Sequence, residues 1–327
     1  MANISTRFFG LQLKSPVIAA SSSMTGHAEQ VLKLAEAGAG AVVLKSIFEE
    51  EIYAELQEEL SLRDELHSDP EYLDYFDYVI KDENIKKYLK LIAEVKAKTS
   101  VPVVASVNCV TSSDWVLFAR KIEEAGADAL ELNMFVYPDS EKYSETNDQV
   151  YFETISKVLQ VVKLPVTVKI SHYFSNLPGF VRQLSKTGVA GISIFNRFYS
   201  ADIDVSTQTI GVADVLSSPK DYILPLRWTG ILSGTMDCDL AATTGIHTAE
   251  TALKFILAGA SAVQVASVLY HEGPAAISKI NQEISDWMDQ KGYASIDEFK
   301  GSLSQKNPSV QGWERVQFMK YFGGKTF

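Results

Sequence analysis

The chain has 327 residues, is 46% hydrophobic and carries a formal net charge of −11. That composition supports a large globular core, and the acidic balance argues against a nucleic-acid partner, whose phosphates call for Lys and Arg. No run of about 18 apolar residues reads as a membrane span. The opening MANISTRFFG lacks the apolar stretch of a secretory signal, and two cysteines, Cys109 and Cys238, make neither a disulfide framework nor a zinc signature. The expected compartment is the reducing cytosol.

Short apolar runs alternate with amphipathic segments along most of the chain. SPVIAAS (15–21) reads as a strand, EQVLKLAEAGA (29–39) as a helix and AVVLKS (41–46) as the next strand. An acidic stretch, 49–83, follows; it is either a solvated helical face or a surface for a partner or lid. Beyond it come a helix at 85–99, a strand at 101–108, a helix at 114–127 and a strand at 129–133. The pattern repeats with a helix at 150–162, a strand at 164–171, a helix at 179–190 and a strand at 191–196. It closes with a strand at 239–244, a helix at 248–260, a strand at 262–267 and a helix from about Ala275 to Gln290.

Eight apolar strands, each followed by a helix or an insertion, imply a parallel sheet covered on its faces. Three helices end in related turns, AEAGAGAVVL, EEAGADALEL and ILAGASAVQV, where glycine fits a left-handed cap. Eight such units favour an α/β fold of the closed (β/α)8 TIM-barrel type, one domain over 1–327 with an acidic insertion after strand 2. No G-x-G-x-x-G follows the first strand, which weakens a dinucleotide reading.

In such barrels the chemistry lies where strands end. Those ends carry Ala20 and Ser21, Lys45 and Ser46, Asn108, Asn133, Lys169, Asn196, then Thr244 and Gly245, then Ala266 and Ser267. A lone Asn there is usually a turn residue and a lone Lys usually a surface residue. Two lysines and three asparagines on five successive strands would converge on one mouth, and strand packing demands nothing of the kind. Asparagine both donates and accepts, which suits a planar, amide-rich ring such as a flavin or pyrimidine. A lysine beside a flavin would stabilise the charge that forms on reduction. Gly245 and the helix from Thr248 would face a phosphate with N–H groups. Metal catalysis is not expected: His27, His67, His172, His247 and His271 form no pair with ligand spacing.

These residues resemble the dihydroorotate dehydrogenase family, particularly its soluble class, nearly from end to end. The resemblance is carried by ISTRFFGLQLKSPVIAASS, VTVKISHYFSN, FNRFY with DID, TTGIHTAETALKFILAGASAVQVASVLYHEGP and KGYASIDEFKGSL. It implies FMN at the C-terminal mouth. Ala20 and Ser21 would lie against the flavin, Lys45 and Ser46 would approach flavin and substrate, and Asn108 the ring edge. Asn133 and Asn196 would lie beside flavin or substrate, and Lys169 would reach the N1 and O2 side of the ring. Thr244 with Gly245, and Ala266 with Ser267, would hold the phosphate.

The resemblance also implies oxidation of dihydroorotate to orotate, with a hydride passing to the flavin and a base removing a proton. The family's base, a cysteine or serine after strand 4, falls on Val136 here, in N-M-F-V-Y-P. Tyr137 and Ser140 are the substitute candidates, with Lys45 as a further catalytic candidate. A substrate asparagine after the proline is absent, and the acidic insertion replaces a substrate loop after strand 2. Arg197 follows Asn196 where a small hydroxyl residue is usual, and each phosphate loop has gained a side chain where the family often has glycine. The flavin site is therefore expected to be better kept than the dihydroorotate site, and the substrate is dihydroorotate or a related small planar compound. The alternatives are a flavin-binding protein without turnover and a Schiff-base aldolase barrel using Lys169. Family analogy implies a homodimer; the electron acceptor is open, since no iron–sulfur ligand set is visible.

Overall fold

The computed structural model describes residues 2–48, 70–108, 112–136, 145–197, 201–310 and 312–313. In the helices beginning at Pro70, Ser112 and Glu145, side chains are described from residues 82, 115 and 148 onward. A two-stranded hairpin opens the chain: β1 (Thr6–Phe8) pairs antiparallel with β2 (Leu11–Leu13). Its two-residue turn puts Phe9 and Gly10 at φ 40° and 79°, the primed geometry that fits strand twist.

The barrel follows. β3 (Val17–Ala19), β4 (Ala41–Val43), β6 (Val103–Asn108), β7 (Ala129–Asn133), β8 (Val166–Ile170), β9 (Gly191–Ile194), β12 (Asp239–Thr243) and β13 (Ala262–Val265) pair in parallel. β13 returns to β3, and β3 and β6 both flank β4, so the ring closes. The eight strands lie inside the eight sequence runs. The helices are α1 (Ala28–Glu36), α2 (Pro70–Lys98), α3 (Ser112–Glu124), α4 (Glu145–Leu159), α5 (Leu177–Ser185), α6 (Ile223–Leu232), α7 (Ala249–Ala258), α8 (Ser267–Glu272) and α9 (Ala275–Lys291). The three related turns hold Gly38, Gly126 and Gly259 at φ 96°, 89° and 113°, as their glycines suggested. Among the described residues no helix is long and apolar enough to cross a membrane.

Three features differ from the sequence expectation. The helix at 85–99 extends back to Pro70, so residues 70–83 of the acidic insertion are helical; a proline is tolerated in a first turn, where its missing N–H is not needed. The remainder of the insertion, 49–69, lies outside the described residues. Strand 2 is interrupted: β4 ends at Val43, and β5 (Ile47–Phe48) resumes pairing with β6 at Val107 and Asn108. In the gap the Tyr88 hydroxyl from α2 accepts the Ser106 N–H at 2.8 Å and donates to the Ser106 carbonyl at 3.2 Å. It satisfies backbone groups that an unbroken strand 2 would have paired. Finally, β10 (Ala201–Asp204) and β11 (Thr209–Val212) form an exposed ribbon between β9 and α6.

Two apolar clusters show how the barrel is filled. Val17, Val42, Val103, Leu130, Val168, Ile192, Leu240 and Val263 pack outward with the helices. Ile18, Ala41, Val43, Val104, Ala129, Ala241 and Ala262 face the barrel axis, and Phe8, Phe9 and Leu13 of the hairpin close that cluster from below. Side chains alternate along a strand, so the next inward positions are Ser106, Glu131, Thr167, Ser193 and Gln264, all buried. The interior is apolar in its lower half and polar in its upper half.

Candidate active site

The polar half begins with a buried cluster. Gln264 Nε2 donates to Glu131 Oε2 at 2.8 Å and to Ser193 Oγ at 3.0 Å, and Ser193 Oγ lies 3.3 Å from the same carboxylate oxygen. These three come from the fourth, sixth and eighth barrel strands, the alternate-strand layering expected of the fold. Further toward the mouth on these strands stand Asn133, Asn196 and Ala266.

Asn133 ends β7 and is aligned with Lys169 on β8. The Asn196 side-chain amide donates to Asn133 Oδ1, and the Asn196 backbone N–H continues the sheet to the Ile170 carbonyl at 2.7 Å. Asn133 and Lys169 are each only 6% exposed. The Lys169 ammonium has no hydrogen-bond or ion-pair partner among the described residues. The ammonium is not among the fully buried polar atoms that lack a partner, so it is placed to meet acceptors that a ligand brings to the mouth.

On the opposite side, Ser21 Oγ lies 3.0 Å from Ser46 Oγ and accepts the Ser46 N–H at 2.9 Å. Ser46 Oγ continues to Ser106 Oγ at 2.7 Å. Ala20 is buried and donates its N–H to the Val265 carbonyl at 2.8 Å, which locks the ends of the first and eighth strands together. Lys45 is exposed and Asn108 half-buried at the corner where β4, β5 and β6 meet. A cleft of about 450 Å³ opens there, lined by Lys45, Ser46, Phe48 and Tyr88 among others.

The third group lies after β12 and β13. Thr244 and Gly245 sit at φ 81° and 73°, and a β-branched residue there is an outlier. Thr244 thus keeps the backbone that glycine adopts freely, with its hydroxyl 3.3 Å from the Phe195 carbonyl. A Cβ on Gly245 would stand 2.2 Å from Tyr222 N, so glycine is needed for close approach as well as for conformation. Gly245 N–H donates to Ser217 Oγ at 3.3 Å, and Ser217 in turn meets Ser267 through its N–H at 2.8 Å and its hydroxyl at 2.9 Å. Thr248 caps α7, accepting the Thr251 N–H at 3.3 Å. Ala266 immediately precedes α8.

Sequence reasoning missed Ser217, which joins both loops, and it read Arg197 only as a departure. Arg197 donates to the Val215 carbonyl at 3.1 Å and the Asp214 carbonyl at 2.9 Å, and lies 3.8 Å from Asp221. It fixes the segment that carries Ser217.

The loop after β7 is held differently. Met134 is buried and Phe135 and Val136 are half-buried. The Val136 N–H donates to the Tyr151 hydroxyl at 3.1 Å, and burial pushes that phenol up to about 12. Phe135 meets Tyr173 edge-on at 6.4 Å, and His172 packs against Tyr173 and Phe195 at 4.3 and 5.7 Å. Burial holds the His172 imidazole below its ordinary range. Tyr137 and Ser140 lie outside the described residues. Also among the described residues, no group of three or more His, Cys, Asp or Glu gathers as metal ligands.

A family model described as dihydroorotate dehydrogenase matches residues 77–288. The chain belongs to the dihydroorotate dehydrogenase family, oxidoreductases that act on CH–CH groups. It is 25% identical to the dihydroorotate dehydrogenase B (NAD(+)) catalytic subunit of Thermoplasma volcanium, across 92% of this chain and 98% of that one. It is 27% identical to the subunit of the same name from Pyrococcus abyssi, across 91% and 98%. It is 28% identical to the dihydroorotate dehydrogenase (fumarate) of Lachancea kluyveri, across 69% and 76%.

Proposed function

We infer that this chain is an FMN-dependent oxidoreductase acting on dihydroorotate or a related small planar compound. The observation that carries the reading is Lys169, a 6%-exposed lysine without a partner among the described residues, on the strand beside the linked amides of Asn133 and Asn196. A flavin ring brings carbonyl and ring-nitrogen acceptors that suit such a set. The loop turn at Gly245, with the N-terminus of α7 close behind it, suits a phosphate. When bound, the flavin supplies the hydride acceptor for oxidation of a saturated C–C bond.

The chain's own residues have the remaining tasks. Lys169 places positive charge where the reduced ring gathers negative charge. Asn108, Asn133 and Asn196 orient ring and substrate, Ala20 packs against the flavin, and Ser21 and Ser46 offer hydroxyls near its edge. Lys45 attracts an anionic substrate group. Thr244, Gly245, Ala266 and Ser267 hold the phosphate. Phe135 and Val136 exclude water; neither accepts a proton, so that task falls to Tyr137 or Ser140 in the segment that follows.

Full-length protein reconstituted with FMN is expected to be yellow, and anaerobic dihydroorotate is expected to bleach it. Protein that shows no flavin spectrum even after FMN addition contradicts the cofactor. Flavin that binds but stays oxidised contradicts the substrate alone. NAD+ and fumarate, named for the relatives, are the first acceptors to try. The apolar Val136 favours a second reading, a flavin-binding protein without turnover, which steady turnover with any substrate and acceptor excludes.

A homodimer belongs to the same reading. The β10–β11 ribbon leaves Ile203, Ile210 and Val212 at 66%, 82% and 64% exposure, apolar area that a second copy would cover. A sedimentation-equilibrium mass of a single 36.1 kDa chain contradicts it.

A further inference from the structure

The phosphate corner contains a titratable group that the reading above does not use. His247 Nε2 lies 3.3 Å from Ser217 Oγ. That buried oxygen also takes the Gly245 N–H and lies against Ser267 Oγ. Ser217 Oγ accepts the Gly245 N–H, donates to Ser267 Oγ and meets the imidazole, so groups of the seventh and eighth barrel loops converge on one hydroxyl. The amide and hydroxyls are neutral, and Arg197 is engaged by Val215, Asp214 and Asp221. The imidazole is the chargeable side chain in hydrogen-bond contact with this cluster among the described residues.

Resting on the flavin reading, we propose that His247 is a ligand of the cofactor phosphate and acts in its protonated form, so that FMN binding takes up a proton. The charged groups around the ring fit this role. His271 of α8 is 6.0 Å away, ring to ring, and Glu272 of α8 and Asp221 ahead of α6 also act on it. Glu272 is within 3.7 Å of Lys279, and Asp221 within 3.8 Å of Arg197, so neither acid is a dedicated counter-ion for the imidazole. Burial holds the free imidazole below the usual histidine range; a hydrogen bond to the Ser217 backbone opposes that and His271 adds to it. Burial therefore favours the neutral ring until phosphate supplies the opposite charge.

The sign follows from linkage. A group whose pKa rises on binding makes affinity climb as pH falls through the bound-state value, levelling off below the free-state value. Flavin-stripped, full-length protein is titrated with FMN by fluorescence quenching between about pH 6 and 8.5, and the phosphate's own second ionisation near pH 6 is measured on free FMN and subtracted. Calorimetry in phosphate-free buffers of different ionisation heats counts the protons taken up. FMN is expected to bind about tenfold tighter at the acid end, with a maximum slope of about half a proton per pH unit. Riboflavin, which has no phosphate, is expected to show no such slope. His247→Gln and His247→Asn are expected to lose both slope and proton uptake while still binding flavin. His271→Gln is expected to move the window to higher pH, since a repelling charge is gone. A slope that survives in both His247 variants, or that riboflavin shares, overturns the proposal and leaves the cofactor reading standing. Absence of FMN binding at any pH overturns both.

Discussion

Replacing Lys169 with Met is expected to make the bound flavin harder to reduce while leaving the apoprotein at least as stable. Removing one preorganised charge partner from a site that excludes water costs about 3 kcal/mol of stabilisation. For a two-electron couple that corresponds to a potential lower by roughly 60 mV. Anaerobic reduction should slow by about a hundredfold. The stability arm has the opposite sign for a physical reason. Lys169 is 6% exposed and its ammonium has no partner among the described residues, so removing its charge takes away a desolvation cost and no described ion pair. Met fills similar volume without charge. Potentiometry and thermal unfolding check the two arms together. An unchanged potential with a lower Tm would make Lys169 a packing residue and remove the main support for the flavin site.

Gly245→Ala is the second large effect. A Cβ there would stand 2.2 Å from Tyr222 N, 2.8 Å from Asp221 C and 2.9 Å from Tyr222 Cα, all backbone. The loop must move, and left-handed φ adds about 1 kcal/mol for a residue with a side chain. We expect a stability loss of about 2–4 kcal/mol and FMN affinity lower by about a hundredfold, because Ser217 and Ser267 are hydrogen-bonded through the same corner. Gly126→Ala is the matched control. Its φ of 89° is also left-handed, but a Cβ there meets nothing within 4 Å. It should cost about 1 kcal/mol and leave FMN affinity unchanged. Equal losses in the two variants would show that backbone strain alone explains Gly245.

Much of this site was legible because side chains alternate along strands. Lys45, Asn108, Asn133 and Lys169 occur at or just past the ends of apolar runs, and runs of that kind fix which residues reach the mouth. What escaped depends on partners distant in sequence. Ser217 lies 28 residues before Gly245 and 50 before Ser267, and nothing local marks a serine that joins two loops. Tyr88 sits in a helix that follows an acidic run, yet its hydroxyl repairs the break in strand 2. Arg197 stood out as an unusual residue, but its role depends on carbonyls 17 and 18 residues further on. The β10–β11 ribbon is short, and its turn places Gln208 rather than glycine at φ 55°, so the usual turn signal is missing. α6 reads ILPLRWTGIL, apolar on nearly every side and interrupted by Pro225, so no helical stripe stood out.

The hairpin that seals the lower barrel gives the chain a form of evolutionary freedom. Phe8, Phe9 and Leu13 close an apolar plug whose burial adds to the drive to fold. Among the described residues after Asn133, Met134 and Val136 pack with the outer cluster and not with that plug. Its Val136 end is held by a hydrogen bond to Tyr151 on the outer helix α4. Mutations there can accumulate without loosening the plug, so a lineage is free to exchange one substrate for another while inheriting the same folded vessel. Drift in specificity and persistence of architecture are then two outcomes of one division of the barrel along its axis.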